Sequence, residues 1–199
     1  MGILRTRGDR VGKVKPNGCS LWLRIGALFL VWFMVEGEGP RAMAQAGYDE
    51  KDIKAVFLCR FAQYVTWPAT AFKDDTTPIT IGILGDDPFG KRIEEAIAGE
   101  KAQNRKLEVK RSNQVEDLRT CHILFVSSSE KGRLPDLLKD IQTKGTLIVG
   151  DMEGFVRMGG MISFKPKDGK VKFDINEKAA KRAGLKISSQ LLRLGDVVE

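Results

Sequence analysis

The sequence has few of the residues that usually bind metals or transfer protons. Its 199 residues include one histidine, His122, and three cysteines. A zinc site needs about four nitrogen or sulfur ligands at short spacings, and no such cluster and no Cys-x-x-Cys pair is present. His122 lies in the apolar run CHILFV, without a recognisable nucleophile or a G-x-S-x-G elbow. The sequence therefore predicts no metal, no cofactor and no enzymatic activity, and a sheet position for His122.

Acidic residues are scarce at the amino terminus, and the excess of positive charge is concentrated there. Residues 1–24 carry six basic residues and one acid, and an eleven-residue uncharged run, IGALFLVWFMV, follows at 25–35. Two overlapping Ala-x-Ala frames occupy residues 42–46. This order is typical of a secretory signal peptide, and the apolar run is shorter than the ~20 residues of a spanning helix. We expect cleavage after residue 46, leaving an exported domain of residues 47–199.

The charge of the mature domain excludes one class of partner. The whole chain has a net charge of +7, but removing seven basic and three acidic residues with the leader leaves 26 against 23, or +3. No basic cluster of the size that phosphate backbones require remains, so nucleic acid is not an expected partner. Cys19 is lost with the leader. An oxidising compartment permits a bridge between Cys59 and Cys121, but both lie in apolar runs, which favours two buried thiols.

Strands alternate with helices along most of the mature chain. Residues 48–67 predict a long first helix, followed by a strand at 79–84, a helix at 88–98, a strand at 107–110, a short helix at 114–119, a strand at 121–126, a helix at 134–143 and a strand at 146–149. Such alternation predicts crossover connections and a mostly parallel sheet with helices on both faces. The sequence predicts a single three-layer α/β domain.

The C-terminal part predicts a β-hairpin. Residues 161–164 and 171–175 flank the turn-rich KPKDGK, and such turn residues between apolar runs favour antiparallel pairing. Asn176 is placed to cap a further helix that Gly184 ends. Residues 185–187 are then brief and extended, and Ser188 or Ser189 can cap a last helical turn.

Two sets of polar or aromatic residues are candidate anchors. Arg60 lies on an otherwise apolar first helix and Trp67 is the only tryptophan of the mature domain; both suit either domain packing or an interface. Asp86, Ser128 and Asp151 follow three strands whose carboxyl ends share one edge if the strands are parallel neighbours, which is the usual ligand edge of such a sheet. The Gly82-x-x-Gly85-x-x-x-x-Gly90 spacing matches no phosphate-binding loop, and Asp87 before Pro88 suits a cap.

Several blocks of the chain carry a family resemblance. AVFLCRFAQYVTWP, GILGDDPFG, CHILFVSSSE, FVRMGGMISF and VKFDINEKAAKRAGLKISSQLLRL occur in the order in which similar blocks occur in the YfiR family. The match covers about residues 48–195, and the GGMI and FxIN…AGLxISSxLL blocks are its most specific parts. The chain resembles this family throughout its mature domain.

The resemblance implies a periplasmic, non-catalytic regulator. Its best-known members repress an inner-membrane diguanylate cyclase by binding that enzyme's periplasmic sensor region, which lowers cyclic-di-GMP and disfavours biofilm. It also implies an outer-membrane lipoprotein that sequesters the repressor, and a homodimer. The best-known member has two disulfide pairs where this domain has two cysteines, so we do not expect control by the same bridges.

A regulator of this kind acts by binding one conformation of its receptor better than another. Its candidate partner-binding surface consists of segment 154–164 with the C-terminal turn: Phe155, Met158, Gly159, Gly160, Met161, Ser189 and Gln190. The alternative is that GGMI is a tight turn into the hairpin with a core methionine. A second functional hypothesis is a periplasmic small-molecule sensor with its ligand at Asp86, Ser128 and Asp151.

Overall fold

An eight-stranded sheet forms the centre of the domain. The computed structural model describes residues 49–141, 145–167 and 170–198, which belong to one compact unit. The predicted signal peptide, residues 1–46, lies outside the described residues.

The described residues form ten strands, five α-helices and three 3₁₀ helices. The strands are β1 Val65–Thr66, β2 Ile79–Leu84, β3 Lys101–Ala102, β4 Arg105–Ser112, β5 Ile123–Val126, β6 Leu147–Gly150, β7 Ile162–Lys167, β8 Lys170–Ile175, β9 Lys186–Ile187 and β10 Asp196–Val197. The α-helices are α1 Glu50–Tyr64, α2 Arg92–Ile97, α3 Leu134–Ile141, α4 Glu177–Arg182 and α5 Ser189–Leu192, and the 3₁₀ helices are Ala69–Ala71, Val115–Leu118 and Ser128–Arg133.

The sheet is mostly parallel, which confirms the predicted α/β class. Its strand order is β10-β8-β7-β6-β5-β2-β4-β3. The five neighbours from β4 to β7 are parallel to one another, and β7–β8 and β3–β4 are antiparallel. Because β4 lies on one side of β2 and the next long strand, β5, on the other, the strand order reverses between β2 and β5. In open α/β sheets this reversal opens a crevice at the carboxyl ends of the strands.

Helices cover both faces of the sheet, as predicted. Every residue of β5 is buried, which requires cover on each face. On one face, Phe57 and Phe61 of α1 lie against Phe164 of β7, with ring centroids 6.4 and 5.7 Å apart. On the other face, Ile141 of α3 and Leu124 of β5 line the same small cleft. The two faces thus have separate apolar layers.

Helix α1 begins and ends for local reasons. The Asp49 side chain accepts a hydrogen bond from Lys51 N, and Glu50 and Asp52 lie in the first turn, where carboxylates favour the helix dipole. The helix was predicted to reach Trp67 but ends at Tyr64, because Val65 is extended (φ −109°, ψ 134°) and pairs with Ile187 of β9. The resulting two-stranded β1–β9 ribbon is separate from the main sheet.

The predicted hairpin is present and longer than expected. Its strands extend to Lys167 and from Lys170, into the KPKDGK segment. Phe164 pairs with Phe173 in register. The predicted caps are confirmed, since Asn176 accepts from Ala179 N and Ser188 from Leu191 N.

The second predicted helix is shorter than the sequence suggested. Asp87 caps a turn, with its two carboxylate oxygens accepting from Phe89 N at 2.7 Å and Gly90 N at 3.2 Å. Gly90 then has a positive φ of 54°, which a helix does not permit. Helix α2 therefore begins at Arg92 rather than at Pro88.

Candidate functional site

The crevice at the strand reversal is filled by the domain's own side chains. Gly85 directly follows β2 and has a φ of +84°, and a Cβ there would lie 2.4 Å from Ser129 Oγ and 2.7 Å from Glu130 Oε1. Ser129 Oγ also accepts a hydrogen bond from Asp86 N at 3.0 Å. Glu130 is buried and paired with Arg133. The position where an α/β protein usually admits a ligand is therefore packed.

The three residues of the predicted ligand edge do lie along one edge, because β2, β5 and β6 are parallel neighbours. Asp86 and Ser128 are exposed and Asp151 is half-buried. Asp151 Oδ2 lies 3.1 Å from Lys54 Nζ of α1, which also lies 2.8 Å from Glu50. The other oxygen, Asp151 Oδ1, is buried and has no hydrogen-bond partner among the described residues. Helix α1 thus covers this end of the edge through Lys54.

The segment that carries GGMI is mostly a packing element. Phe155 is fully buried, and its ring lies over both Gly150 and Gly160, where added Cβ atoms would come within 2.8 and 2.3 Å of it. Met161 is also buried. The expectation that Phe155 and Met161 contact a partner is wrong for these two side chains, because neither reaches the surface. The alternative, a tight turn with a core methionine, matches the structure.

Met158 is the exposed large apolar side chain of this segment. It is 42% exposed, and it precedes Gly159, whose φ of +114° favours glycine over any L side chain. Gly160 needs to be glycine for a different reason, which is the space that the Phe155 ring takes. Glycine is therefore required at position 159 by the backbone conformation and at position 160 by the packing of Phe155.

The two halves of the predicted partner-binding surface lie on opposite faces of the sheet. Gly150 lies under Phe155 and pairs with Ser163 of β7. Because side chains alternate along a strand, Ser163 and Phe155 lie on one face of the sheet, and Phe164 points to the other face, where α1 packs. Helix α5 packs beside α1 on that second face, through buried Leu191, and Ser189 and Gln190 are exposed there. The structure therefore does not join Met158 to Ser189 and Gln190 in one surface.

Trp67 packs inside the domain. It is 6% exposed, its Nε1 donates to the His122 carbonyl at 3.2 Å, and its ring lies edge-on to Phe72 and His122. Of the two roles expected for Trp67, these contacts match domain packing, because they bury nearly all of the ring. Arg60 is half-buried on α1, and its guanidinium donates to Gln63 Oε1 at 3.0 Å.

His122 is held at both ring nitrogens. Nδ1 accepts from Thr80 N at 3.1 Å, and Nε2 lies 3.1 Å from the Ala71 carbonyl, to which it donates. The ring also stacks on Phe72, with centroids 4.5 Å apart, and Arg105 lies 3.9 Å from the centroid of Phe72. Burial lowers the pKa of His122, and the charge of Arg105 lowers it further. These contacts fix the neutral tautomer with its proton on Nε2. His122 directly precedes β5 rather than lying in it, and its backbone N–H donates to the Thr80 carbonyl of β2.

Both cysteines of the domain are free and buried. Cys59 Sγ lies 3.5 Å from the Ala96 carbonyl of α2, and Cys121 Sγ lies 2.9 Å from the Cβ position of Gly82. Burial raises the pKa of each thiol to about 11. At neutral pH both are protonated and act as small apolar groups.

Sequence reasoning predicted a brief extended segment at residues 185–187, which contains β9, but missed its pairing with β1 and a groove beside it. The groove has a volume of about 460 Å³ and lies between α4 and β9, with Lys181, Gly184, Lys186 and Ile187 among its lining residues. Two-residue strands carry no periodicity, so no pattern predicted the ribbon. The basic residues that follow Asn176 were the available signal.

The described residues bring together no group of three or more histidine, cysteine or acidic side chains that could hold a metal ion. Within the same residues, no helix has the length and apolar character that crossing a membrane requires.

The fold defines an α/β domain with a closed carboxyl edge and a C-terminal hairpin. A family model described as YfiR/HmsC-like matches residues 51–196. The chain belongs to this family, which confirms the resemblance found in the sequence. At the level of the family, this makes it a member of a regulatory, non-catalytic group that acts in diguanylate cyclase signalling.

Solved structures give weaker similarities. A Vibrio cholerae O1 biovar El Tor structure described as a conserved domain protein has 11% identity and a TM-score of 0.48, covering 75% of this chain and 60% of its own. A Streptococcus pneumoniae ABC domain in complex with L-Trp has 15% identity and a TM-score of 0.42, covering 60% and 55%. The chain thus spans less than two thirds of either protein. A search of curated proteins gave no match.

Proposed function

We propose that the mature domain is exported to the periplasm and represses an inner-membrane diguanylate cyclase by binding its periplasmic sensor region. The observation that carries this proposal is the family match over residues 51–196, which covers nearly the whole described domain. The predicted leader would place the domain in the compartment that this receptor region occupies.

The structure favours protein binding over small-molecule sensing. A sensor would need an open crevice at the strand reversal, and there Ser129 and Glu130 fill the space beside Gly85. Lys54 forms an ion pair with the neighbouring Asp151 carboxylate. Exposed loops and strand edges remain for a macromolecular partner.

Repression requires that the domain prefer one state of the receptor. A ligand that binds the inactive state more tightly shifts the equilibrium by that difference in affinity, and a 10⁴-fold preference moves it from about 1:99 to 99:1. Neither substrate nor nucleotide needs to touch the repressor. A homodimer would double the contacts, and the family resemblance favours one.

The test is deletion of the gene in its host, with cyclic-di-GMP measured by mass spectrometry. We expect the level to rise, to fall again with the full-length gene, and to stay high with a gene that lacks codons 2–46. Crosslinking of the full-length protein's product in the envelope should recover a diguanylate cyclase. An unchanged cyclic-di-GMP level in the deletion strain would overturn the proposal.

A further inference from the structure

The two edges of the β1–β9 ribbon are treated differently by the rest of the domain. On the β1 side, the groups of Val65 that point away from β9 are both satisfied: its N–H donates to the Phe61 carbonyl, and its carbonyl accepts from Gln103 Nε2 at 2.6 Å. Gln103 Nε2 also donates to the Ala62 carbonyl at 3.0 Å. The side chain of Gln103 therefore closes this edge.

The β9 side is open. Ser188 N donates to the Tyr64 carbonyl, so the alternation of an antiparallel pair directs the backbone groups of Lys186 and Ser188 toward β1 and those of Ile187 away from it. In the described part of the chain, the outward N–H and carbonyl of Ile187 have no protein partner. They lie on the strand that borders the 460 Å³ groove. An open strand edge of this kind can take up a further extended strand.

Two of the three charged residues that line the groove are basic. Lys186 is exposed, and Lys181 is 63% exposed, although it lies 2.9 Å from Glu177, which lines the groove as well. The floor is apolar, with buried Leu185 and half-buried Ile187. An extended segment that alternates carboxylates with small apolar side chains would match both features.

We propose that the open edge of β9 binds an extended acidic segment of a protein partner, which adds as a strand beside Ile187 with its carboxylates near Lys181 and Lys186. This rests on the proposed function, because it identifies the surface through which the repressor holds its receptor. A second copy of the chain fits less well, since it would bring the lysines of both copies into one groove, where like charges repel.

Peptide binding tests the surface without any receptor. The protein, purified after expression from its full-length gene and labelled with ¹⁵N, is titrated with the peptide Ac-EVEIEVE-NH₂ and separately with Ac-KVKIKVK-NH₂. We expect amide shifts confined to residues 181–188, slower exchange of the Ile187 N–H, and no shifts there with the lysine peptide. Equal binding of both peptides, or shifts centred elsewhere, would overturn the proposal.

Charge reversal separates this surface from general electrostatics. The double variant Lys181→Glu with Lys186→Glu should bind the acidic peptide at least ~10-fold more weakly than the wild type does. The control Lys106→Glu with Lys131→Glu makes the same change in net charge at exposed lysines that do not line the groove, and should bind the peptide like the wild type. If sedimentation shows a dimer that only the first pair dissolves, β9 is a self-association edge and the proposal is wrong.

The cellular result distinguishes this proposal from the broader one. If the wild type lowers cyclic-di-GMP and the Lys181/Lys186 variant lowers it equally, repression stands and the β9 surface is refuted. If deletion leaves cyclic-di-GMP unchanged while the acidic peptide still binds at β9, the receptor assignment fails and the binding edge stands.

Discussion

The ring of Phe155 lies against Gly160 so closely that a single added Cβ atom would come within 2.3 Å of it. The same ring covers Gly150 on the neighbouring strand. Segment 151–161 is thereby fixed to the sheet between β6 and β7. The most specific motif of the family resemblance thus marks a packing requirement in this chain.

Gly160→Ala tests that contact. Adding a methyl group to a packed core forces side chains off their rotamers, and we expect a loss of about 1–3 kcal/mol in the free energy of unfolding, measured by urea denaturation. The control is Gly132→Ala, whose Cβ would meet nothing within 4 Å. The double variant Gly160→Ala with Phe155→Leu should recover part of the loss. Equal stability of the two alanine variants would refute the contact.

His122 should make stability depend on pH. Burial lowers the pKa of His122 in the folded protein below its value of about 6.5 in the unfolded chain. As the pH falls below about 6.5, the unfolded chain therefore binds this proton before the folded protein does. The contribution of His122 is therefore complete above pH 6.5 and is lost as the pH falls, with a slope of up to about 1.4 kcal/mol per pH unit.

The measurement is urea denaturation at pH 7.5 and 5.0 for the wild type and His122→Gln. His122 is the only histidine, so the difference between the two proteins isolates its titration from that of the carboxylates. We expect the wild type to lose more stability than the variant on acidification. An NMR titration that gave a folded pKa above 6.5 would contradict this prediction.

The two thiols should resist alkylation in the folded protein. Raising a thiol pKa from 9.0 to about 11 lowers the thiolate fraction at neutral pH about 100-fold, and burial limits access as well. We expect iodoacetamide to label Cys59 and Cys121 only in denaturant, as followed by mass spectrometry. A mature mass two daltons below the dithiol value would instead show a bridge.

The Lys54–Asp151 pair should contribute measurably to stability. Both side chains are mostly buried, at 12% and 17% exposure, and Asp151 Oδ1 already has no hydrogen-bond partner in the described residues. Lys54→Met would leave the Asp151 carboxylate without its cation, and we expect the free energy of unfolding to fall by about 1–3 kcal/mol.

Two comparisons check this reasoning by thermal or urea unfolding. Lys139→Met removes the exposed Lys139–Asp136 pair and should change stability by less than about 1 kcal/mol. Adding Asp151→Asn to Lys54→Met should restore part of the lost stability, because the buried charge is gone. If Lys54→Met behaves like Lys139→Met, the pair is not a structural contact.

The sequence by itself determined the order of the elements and several of their ends. Apolar, β-branched runs such as those of β2, β5 and β6 are continuous because both faces of a parallel sheet are buried, so they can be recognised without coordinates. Asn176 and Ser188 cap helices through bonds to residues three positions away. Such local bonds are visible in local sequence.

Only the tertiary structure decided which surfaces exist. Phe155 and Trp67 suited an interface by residue type, because aromatic side chains occur in both interfaces and cores. The ring of Phe155 is buried over Gly150 and Gly160, and that of Trp67 beside His122, and no sequence pattern indicates these contacts. The carboxyl edge is closed by Ser129, Glu130 and Lys54. Gln103 covers the β1 edge of the ribbon, whereas the outward backbone groups of Ile187 on β9 have no partner among the described residues. These outcomes follow from contacts between remote segments, which the periodicity of a single segment does not record.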